Sequence, residues 1–294
     1  LLWIAVALVS TVLACAYATR LELRRAHYPL HEMQALGIAA AGVQCVIAEL
    51  QQENNDFIAL SQPWKRAAGA YAQSLETAGT LVISVEDEDG KLNLSSAGDE
   101  LLNRLLMMLN YANRGQFIDS LRDWQDADTV LRPSGAEELY YQACEPPRHC
   151  KDAPLDSVEE LALIRGNDGQ NMPGAILNTV TVYSGGKINI NTASTDVLAA
   201  LLEGNYPLAQ AVIAARSGPD GIDGTADDTP FKKEDMLKSL AGGELFGRIA
   251  SQITVRSSFF KVRSVGNTGG AAKTVEAMLE KIGSVIHIRY WREL

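Results

Sequence analysis

The first 18 residues, LLWIAVALVSTVLACAYA, carry no charge. As a helix rising about 1.5 Å per residue they reach roughly 27 Å, near the thickness of a bilayer's hydrocarbon layer. A lipid-exposed segment must satisfy its backbone polar groups internally, which a helix does. Three readings compete: a buried core helix, a secretory signal peptide and a membrane anchor. A signal peptide needs a basic start, a shorter apolar run and a small-residue cleavage site. Here no basic residue precedes the run, and the chain opens on Leu rather than Met. The expectation is a transmembrane helix over residues 1–19, carrying Leu1, Trp3 and Val6, with upstream residues either removed by processing or lying outside this sequence. Arg20, Arg24 and Arg25 follow the run. Counted alone, they would place the C-terminal side in the cytoplasm, a vote that missing upstream residues make uncertain.

Beyond this run the apolar spacing stays helical. Pro29 is expected to kink the helix. Met33, Leu36, Ala40, Val43, Ile47 and Leu50 then recur at intervals of three and four, one apolar stripe. The first ~50 residues therefore read as one long spine, its start in lipid and its end packed on a globular part. "TLVISVEDEDGKLNL" reads as a β-hairpin: Leu81, Ile83 and Val85 alternate, Asp89-Gly90 supplies the turn, and Leu92 and Leu94 alternate again. Helical patterns follow in "DELLNRLLMMLN", "QFIDSLRDW", "LDSVEELALIRG", "STDVLAALLEG" and "PLAQAVIAARSG". Their expected N-caps are Asp99, Asp156 or Ser157, and Ser194 or Thr195. "RGNDGQNMPG", with Asp168, reads as a turn. From about Gln252 strands return in "ITVRSSFFKVRSV", "KTVEAMLEK" and "VIHIRYW". Sheet pieces flanking a helical block imply an α+β chain, one sheet with a helical domain inserted between its strands. The expected limits are 20–97 for spine and first strands, 98–250 for the insert and 251–294 for the last strands.

Charge narrows the partners. The formal net charge is −10 over 294 residues, which opposes binding to phosphate backbones. The segment "KININTASTDVLAALLEGNYPLAQAVIAARSG" nevertheless resembles a helix-hairpin-helix unit. DNA-binding hairpins of that kind present backbone N–H groups from a Gly-x-Gly turn. Here the turn is Glu203-Gly204-Asn205, with one glycine and an acid beside it. A membrane-tethered DNA binder is the alternative reading. HExxH, Gly-x-Ser-x-Gly and P-loop patterns are missing from the sequence, and no enzyme is expected.

Two acidic stretches invite a cation. "DGIDGTADDTPF" holds Asp220, Asp223, Asp227 and Asp228 on a glycine-rich loop, hard oxygen ligands of the kind Ca²⁺ takes. The spacing is not an EF-hand's, and a solvated acidic loop is the bland reading. "SLRDWQDADTVLRPSGAEELYY" places Asp123, Asp126 and Asp128 around Trp124. Asp123 and Asp126 share a helix face, and the helix is expected to end near Gln125, with a new one from Ala136. Scaffolding around a buried Trp124 is favoured there over a cation and over carboxylate catalysis. Cys15 and Cys45 read as packing residues. Cys144 and Cys150 flank "EPPRH", a short loop that a disulfide could close in an oxidising compartment.

Taken together, "DWQDADTVLRPSGAEELYY", the preceding "EDEDGKLNLSS", the following "APLDSVEELALIRG", "ININTAS", a Phe-x-Val-Arg strand and the late "YWRE" resemble, in content and order, the general secretion pathway protein K family, the minor pseudopilin K of type II secretion. The resemblance implies a pilin-like spine and antiparallel sheet with a large SAM-like helical insert. It implies a non-enzymatic subunit of the inner membrane with its C-terminal domain in the periplasm. It also implies a place at the tip of a pseudopilus, with minor pseudopilins I and J as partners. There it would prime assembly and aid export of folded exoproteins through the secretin. A prepilin peptidase would account for the missing leader, and the absence of an acid before Glu22 matches protein K. Calcium is implied in the helical domain, which favours the Asp223–Asp228 loop. The periplasm is oxidising, which favours the Cys144–Cys150 disulfide.

Overall fold

The protein is described by a computed structural model covering residues 2–53, 56–65, 79–167 and 174–294, with backbone only at 21 and 23–27. Leu1 and the expected turn at Asp168 lie outside the described residues. Helix α1, Leu2–Gln52, runs on through Pro29. Its apolar window Leu2–Arg20 is 0% buried and stands clear of the rest, with Trp3 and Val6 exposed, as an anchor would.

The lower half of α1 packs on a four-stranded antiparallel sheet. Its strands are β1 (Thr80–Asp87), β6 (Phe259–Thr268), β7 (Ala271–Ile282) and β8 (Val285–Glu293), in the order β1-β6-β7-β8. Leu81, Ile83 and Val85 point inward as their alternation predicts, beside Phe260, Val262, Val275 and Leu279. The helical face they meet differs from the expected stripe. Val43 and Leu50 are buried, Leu36 and Ile47 are half-buried, and Met33 is 74% exposed. The buried seam runs instead through Ala35, Ala39, Gly42, Val43, Val46 and Leu50. Close approach is the reason. A Cβ on Gly42 would lie 2.3 Å from Ser264 Oγ, and one on Gly266 would lie 2.2 Å from the Ala35 carbonyl. Small residues let helix and sheet touch backbone to backbone, and the larger apolar side chains are turned to the flanks.

The expected 81–94 hairpin does not form. β1 pairs only with β6, Leu81 opposite Gly266 and Val85 opposite Val262. Glu88–Gly90 is a 3₁₀ turn started by the Asp87 carboxylate, which accepts the Asp89 N–H at 3.0 Å. The chain then departs into the insert, where β2 (Leu92–Asn93) runs parallel to β3 (Val180–Thr181). Local turn chemistry favoured a hairpin, but burial of Leu92 and Leu94 in the insert's core prevailed. That core extends from Leu92 to Val255, beyond the expected limits of 98–250 on both sides.

Inside the insert the helices are α2 (Asp99–Met108), α3 (Arg114–Gln125), α4 (Glu138–Gln142), α5 (Gly174–Thr179), α6 (Thr195–Leu201), α7 (Tyr206–Arg216), α8 (Lys238–Ala241) and α9 (Gly243–Ile249). Asp99 lies in the first turn of α2, the N-cap being Gly98, and Ser194 caps α6 as expected. "SVEELAL" is a 3₁₀ helix rather than an α-helix, entered through the Ser157–Glu160 capping box. Strand β4 (Ile188–Asn189) pairs with β5 (Ile253–Thr254), which returns the chain to β6.

Candidate metal centre

Asp123 sits on the inward face of α3 and is fully buried beside Trp124, whose ring meets Tyr141 edge-on at 4.8 Å. Asp123 Oδ2 accepts the Arg132 N–H at 3.3 Å, and the Arg132 guanidinium is 3.6 Å from Oδ1. Gly135 lies against this carboxylate so closely that a Cβ would fall 1.9 Å from Oδ2. The glycine of "SGAEE" is thus explained by the aspartate twelve residues before it. α3 ends at Gln125 as expected, because Asp126 turns to extended backbone. The loop that follows folds back so that Asp126, Asp128 and Glu137 each place an oxygen within 4.8 Å of the others. Glu137 also groups with Cys150 Sγ and Asp152 at the same spacing. Asp152 holds a left-handed φ of 51°, a strained position for a non-glycine residue.

The negative charge of this cluster is only partly compensated, by the Arg132 guanidinium beside Asp123. Asp126 Oδ1, Glu137 Oε1 and Asp123 Oδ1 are buried without a hydrogen-bond donor. Burial holds the carboxyls of Asp126 and Glu137 above the ordinary range. Asp128 adds to the rise at Asp126, and Asp123 and Asp126 add to it at Glu137. Asp126 and Glu137 keep buried oxygens without a donor, and the exposed Asp128 accepts only the Val130 N–H at 2.8 Å, so their convergent carboxylates leave lone pairs that suit a hard divalent cation, and the residues present fit calcium. Glu137 and Asp152 were not singled out as ligands by spacing, because they meet the aspartates only after a loop and a helix boundary. The one sequence signal was the acid in "GAE".

The loop from Asp220 to Asp228 does not fit in the same way. Asp223 is clasped by Arg216, Nε at 3.1 Å and Nη2 at 2.7 Å, and by the Ser217 hydroxyl, and these contacts hold its carboxyl below the ordinary range despite burial. Asp220 accepts from Ile222 N–H, Asp227 from Asp220 N–H and the Thr225 hydroxyl, and Asp228 from Gly224 N–H. Asp220, Asp227 and Asp228 serve the loop's own backbone while Asp223 is held by Arg216 and Ser217, and among the described residues the four do not form a ligand group. The buried Arg216 also donates to the Ile190 and Ala193 carbonyls, which ties the loop to the insert's core.

The cysteines correct another expectation. Cys144 and Cys150 are both free thiols. Cys144 Sγ donates to the Tyr140 carbonyl and Cys150 Sγ to the Asp123 carbonyl, so the two sulfurs are directed to different acceptors. The hairpin turn between α6 and α7 offers no phosphate cradle. The N–H groups of Gly204, Asn205 and Tyr206 bond to the carbonyls of Ala199, Leu202 and Gly204, and Glu203 is paired with Arg248 at 2.8 Å.

A bare apolar helix leading into a spine, an antiparallel sheet closed by returning strands and a bulky helical insert define a mixed helix-and-sheet chain with an insertion. Residues 80–185 match the sequence model of the family described as type II secretion system (T2SS), protein K. The chain is 25% identical to the type II secretion system protein K of Pseudomonas aeruginosa, covering 94% of this chain and 88% of that one. It is 26% identical to the protein of that name from Aeromonas hydrophila, over 88% and 84%. Its fold matches a chain in the crystal structure of the GspK-GspI-GspJ complex from enterotoxigenic Escherichia coli. The TM-score is 0.67 at 18% identity, over 95% of this chain and 99% of that one. The chain is thereby recognised as a relative of type II secretion system protein K, and the resemblance carried by its own motifs holds.

Proposed function

We propose that this chain is a non-enzymatic minor pseudopilin at the tip of a type II secretion pseudopilus, partnered by pseudopilins I and J. It would prime fibre assembly and aid passage of folded proteins through the secretin. The observation that carries this reading is the fold match over 95% of the chain to a protein solved with GspI and GspJ. In this reading the apolar window Leu2–Arg20 crosses the inner membrane once, in contact with lipid, and the sheet and insert stand in the periplasm. The insert, with α6–α7 as its SAM-like unit, makes this subunit bulkier than a spine-and-sheet pilin and so ends the fibre. The test removes residues 1–25 and mixes the remainder with pseudopilins I and J. A ternary complex on size-exclusion chromatography is expected, and separate elution of the three would overturn the reading.

Calcium is the proposed cofactor, held by Asp126, Asp128 and Glu137 with Asp152 beside them. It would neutralise repelling carboxylates and lock the "DWQDAD" loop onto α4. A ligand at a hundredfold excess over its Kd stabilises by about 2.7 kcal/mol, or roughly 5–10 °C in a chain of this size. EDTA should lower the Tm by that order. Glu137→Gln should abolish the calcium shift while Asp227→Ala keeps it. A wild-type Tm indifferent to EDTA would remove the proposal.

A further inference from the structure

Two other carboxylates are buried where the chain leaves the sheet and comes back to it. Asp87 ends β1, and its Oδ2 accepts from Ser257 Oγ at 2.5 Å, Thr192 Oγ1 at 2.6 Å and Asn189 Nδ2 at 3.2 Å. Asp89 Oδ2 accepts the N–H groups of Ser258 at 2.6 Å and Phe259 at 3.0 Å, and its Oδ1 that of Gly185 at 3.2 Å. The outgoing strand, the insert and the returning strand are therefore tied together by two side chains.

The charged groups around the pair are committed elsewhere. On the same stretch, Lys91 bonds Glu86 at 2.7 Å and Glu88 at 2.8 Å. Lys65 donates to the Val85 carbonyl at 2.6 Å. On the returning side, Arg256 donates to the Asp56 carbonyl, and Lys281 of β7 to the carbonyls of Leu50 and Glu53. From the insert, the neutral Asn189, Thr192 and Gly185 reach the two carboxyls. Among the described residues no cation forms an ion pair with Asp87 or Asp89. Two adjacent buried carboxylates without a direct ion pair, Lys65 acting on Asp87 only through space, resist simultaneous ionisation.

Hydrogen-bond chemistry decides where a proton would sit. Asp89 faces only N–H donors, which cannot accept one. Asp87 faces two hydroxyls, which can. The Thr192 hydroxyl also lies 3.5 Å from the Asn189 carbonyl, an acceptor for its own hydrogen once it receives the carboxyl proton. We propose that Asp87 keeps a proton in the folded chain up to near neutral pH while Asp89, facing only N–H donors, ionises first, making the sheet–insert junction a latch that loosens as pH rises. Burial first, and Asp89 second, push Asp87 up to about 7. The fold thus keeps a proton that an unfolded aspartate releases near pH 4, so stability falls as pH rises from about 4 to about 7.

The test compares the full chain in detergent, wild type against Asp87→Asn, at pH 5.0 and 8.0 with saturating calcium. Asn mimics the protonated carboxyl. Between the two pH values the wild type should lose on the order of 5 °C in Tm relative to the variant. A wild-type-minus-variant difference that is the same at both pH values overturns the proposal. A second measurement needs no variant: limited proteolysis at matched protease activity should cut the wild type at 88–91 or 256–258 several-fold faster at pH 8.0. Equal rates at the two pH values overturn it as well.

Discussion

At the residue scale, positions that looked like chemistry prove to be held by contacts from distant residues. Gly135 is an example. Its place in "SGAEE" gives no hint that a buried carboxylate lies where its Cβ would be. Gly135→Ala should displace Asp123 and cost roughly 1–3 kcal/mol as an overpacked site, read as a lower midpoint in urea unfolding with the m-value unchanged. The two acidic stretches show why counting aspartates was insufficient. Both are dense in carboxylates, and the glycine-rich one looked the better calcium loop. In three dimensions its central acid is neutralised by Arg216 and its others cap their own turns, while the stretch around Trp124 keeps unbonded buried oxygens. Ligand availability is a property of hydrogen-bond satisfaction, which spacing does not encode. Likewise, six-residue spacing permitted a Cys144–Cys150 bridge, but the direction of each thiol is set by α4 and by Asp123.

At the element scale, local signals were right wherever one segment's own periodicity decides. β1, β6 and β7 are strands, α2, α3, α6 and α7 are helices, and α3 stops at Gln125. They failed where one element's closeness to another decides. The α1 seam is chosen by fit, and its narrowest point is Gly42 against Ser264. Gly42→Ala should push helix and sheet apart and cost about 1–3 kcal/mol, detectable as a fall in Tm of the membrane-free domain. The lower end of α1 is anchored by Lys281 of β7, whose buried ammonium donates to the Leu50 carbonyl and, at 3.1 Å, to that of Glu53. Lys281→Met would leave carbonyls of the last turn without this donor, at a cost of about 1–3 kcal/mol. Faster amide exchange at residues 46–52, with β1 unchanged, is the expected signature.

At the scale of the whole molecule, the order of elements was legible in the sequence. Hydrophobic run length marks the apolar N-terminal helix, period 3.6 the spine and insert, and period 2 the strands that flank the insert. Family motifs in that order pointed to protein K, and the comparisons agree. Three things were left to tertiary structure: the partner of β1, the limits of the insert and the location of the convergent carboxylates. Each depends on contacts between residues far apart in the chain, such as Leu81 with Gly266, Leu92 with Val180, and Asp126 with Glu137. Periodicity reports which side of an element is apolar. Which surface that side meets, and which polar atoms are left unpaired when it does, is settled only when the segments pack.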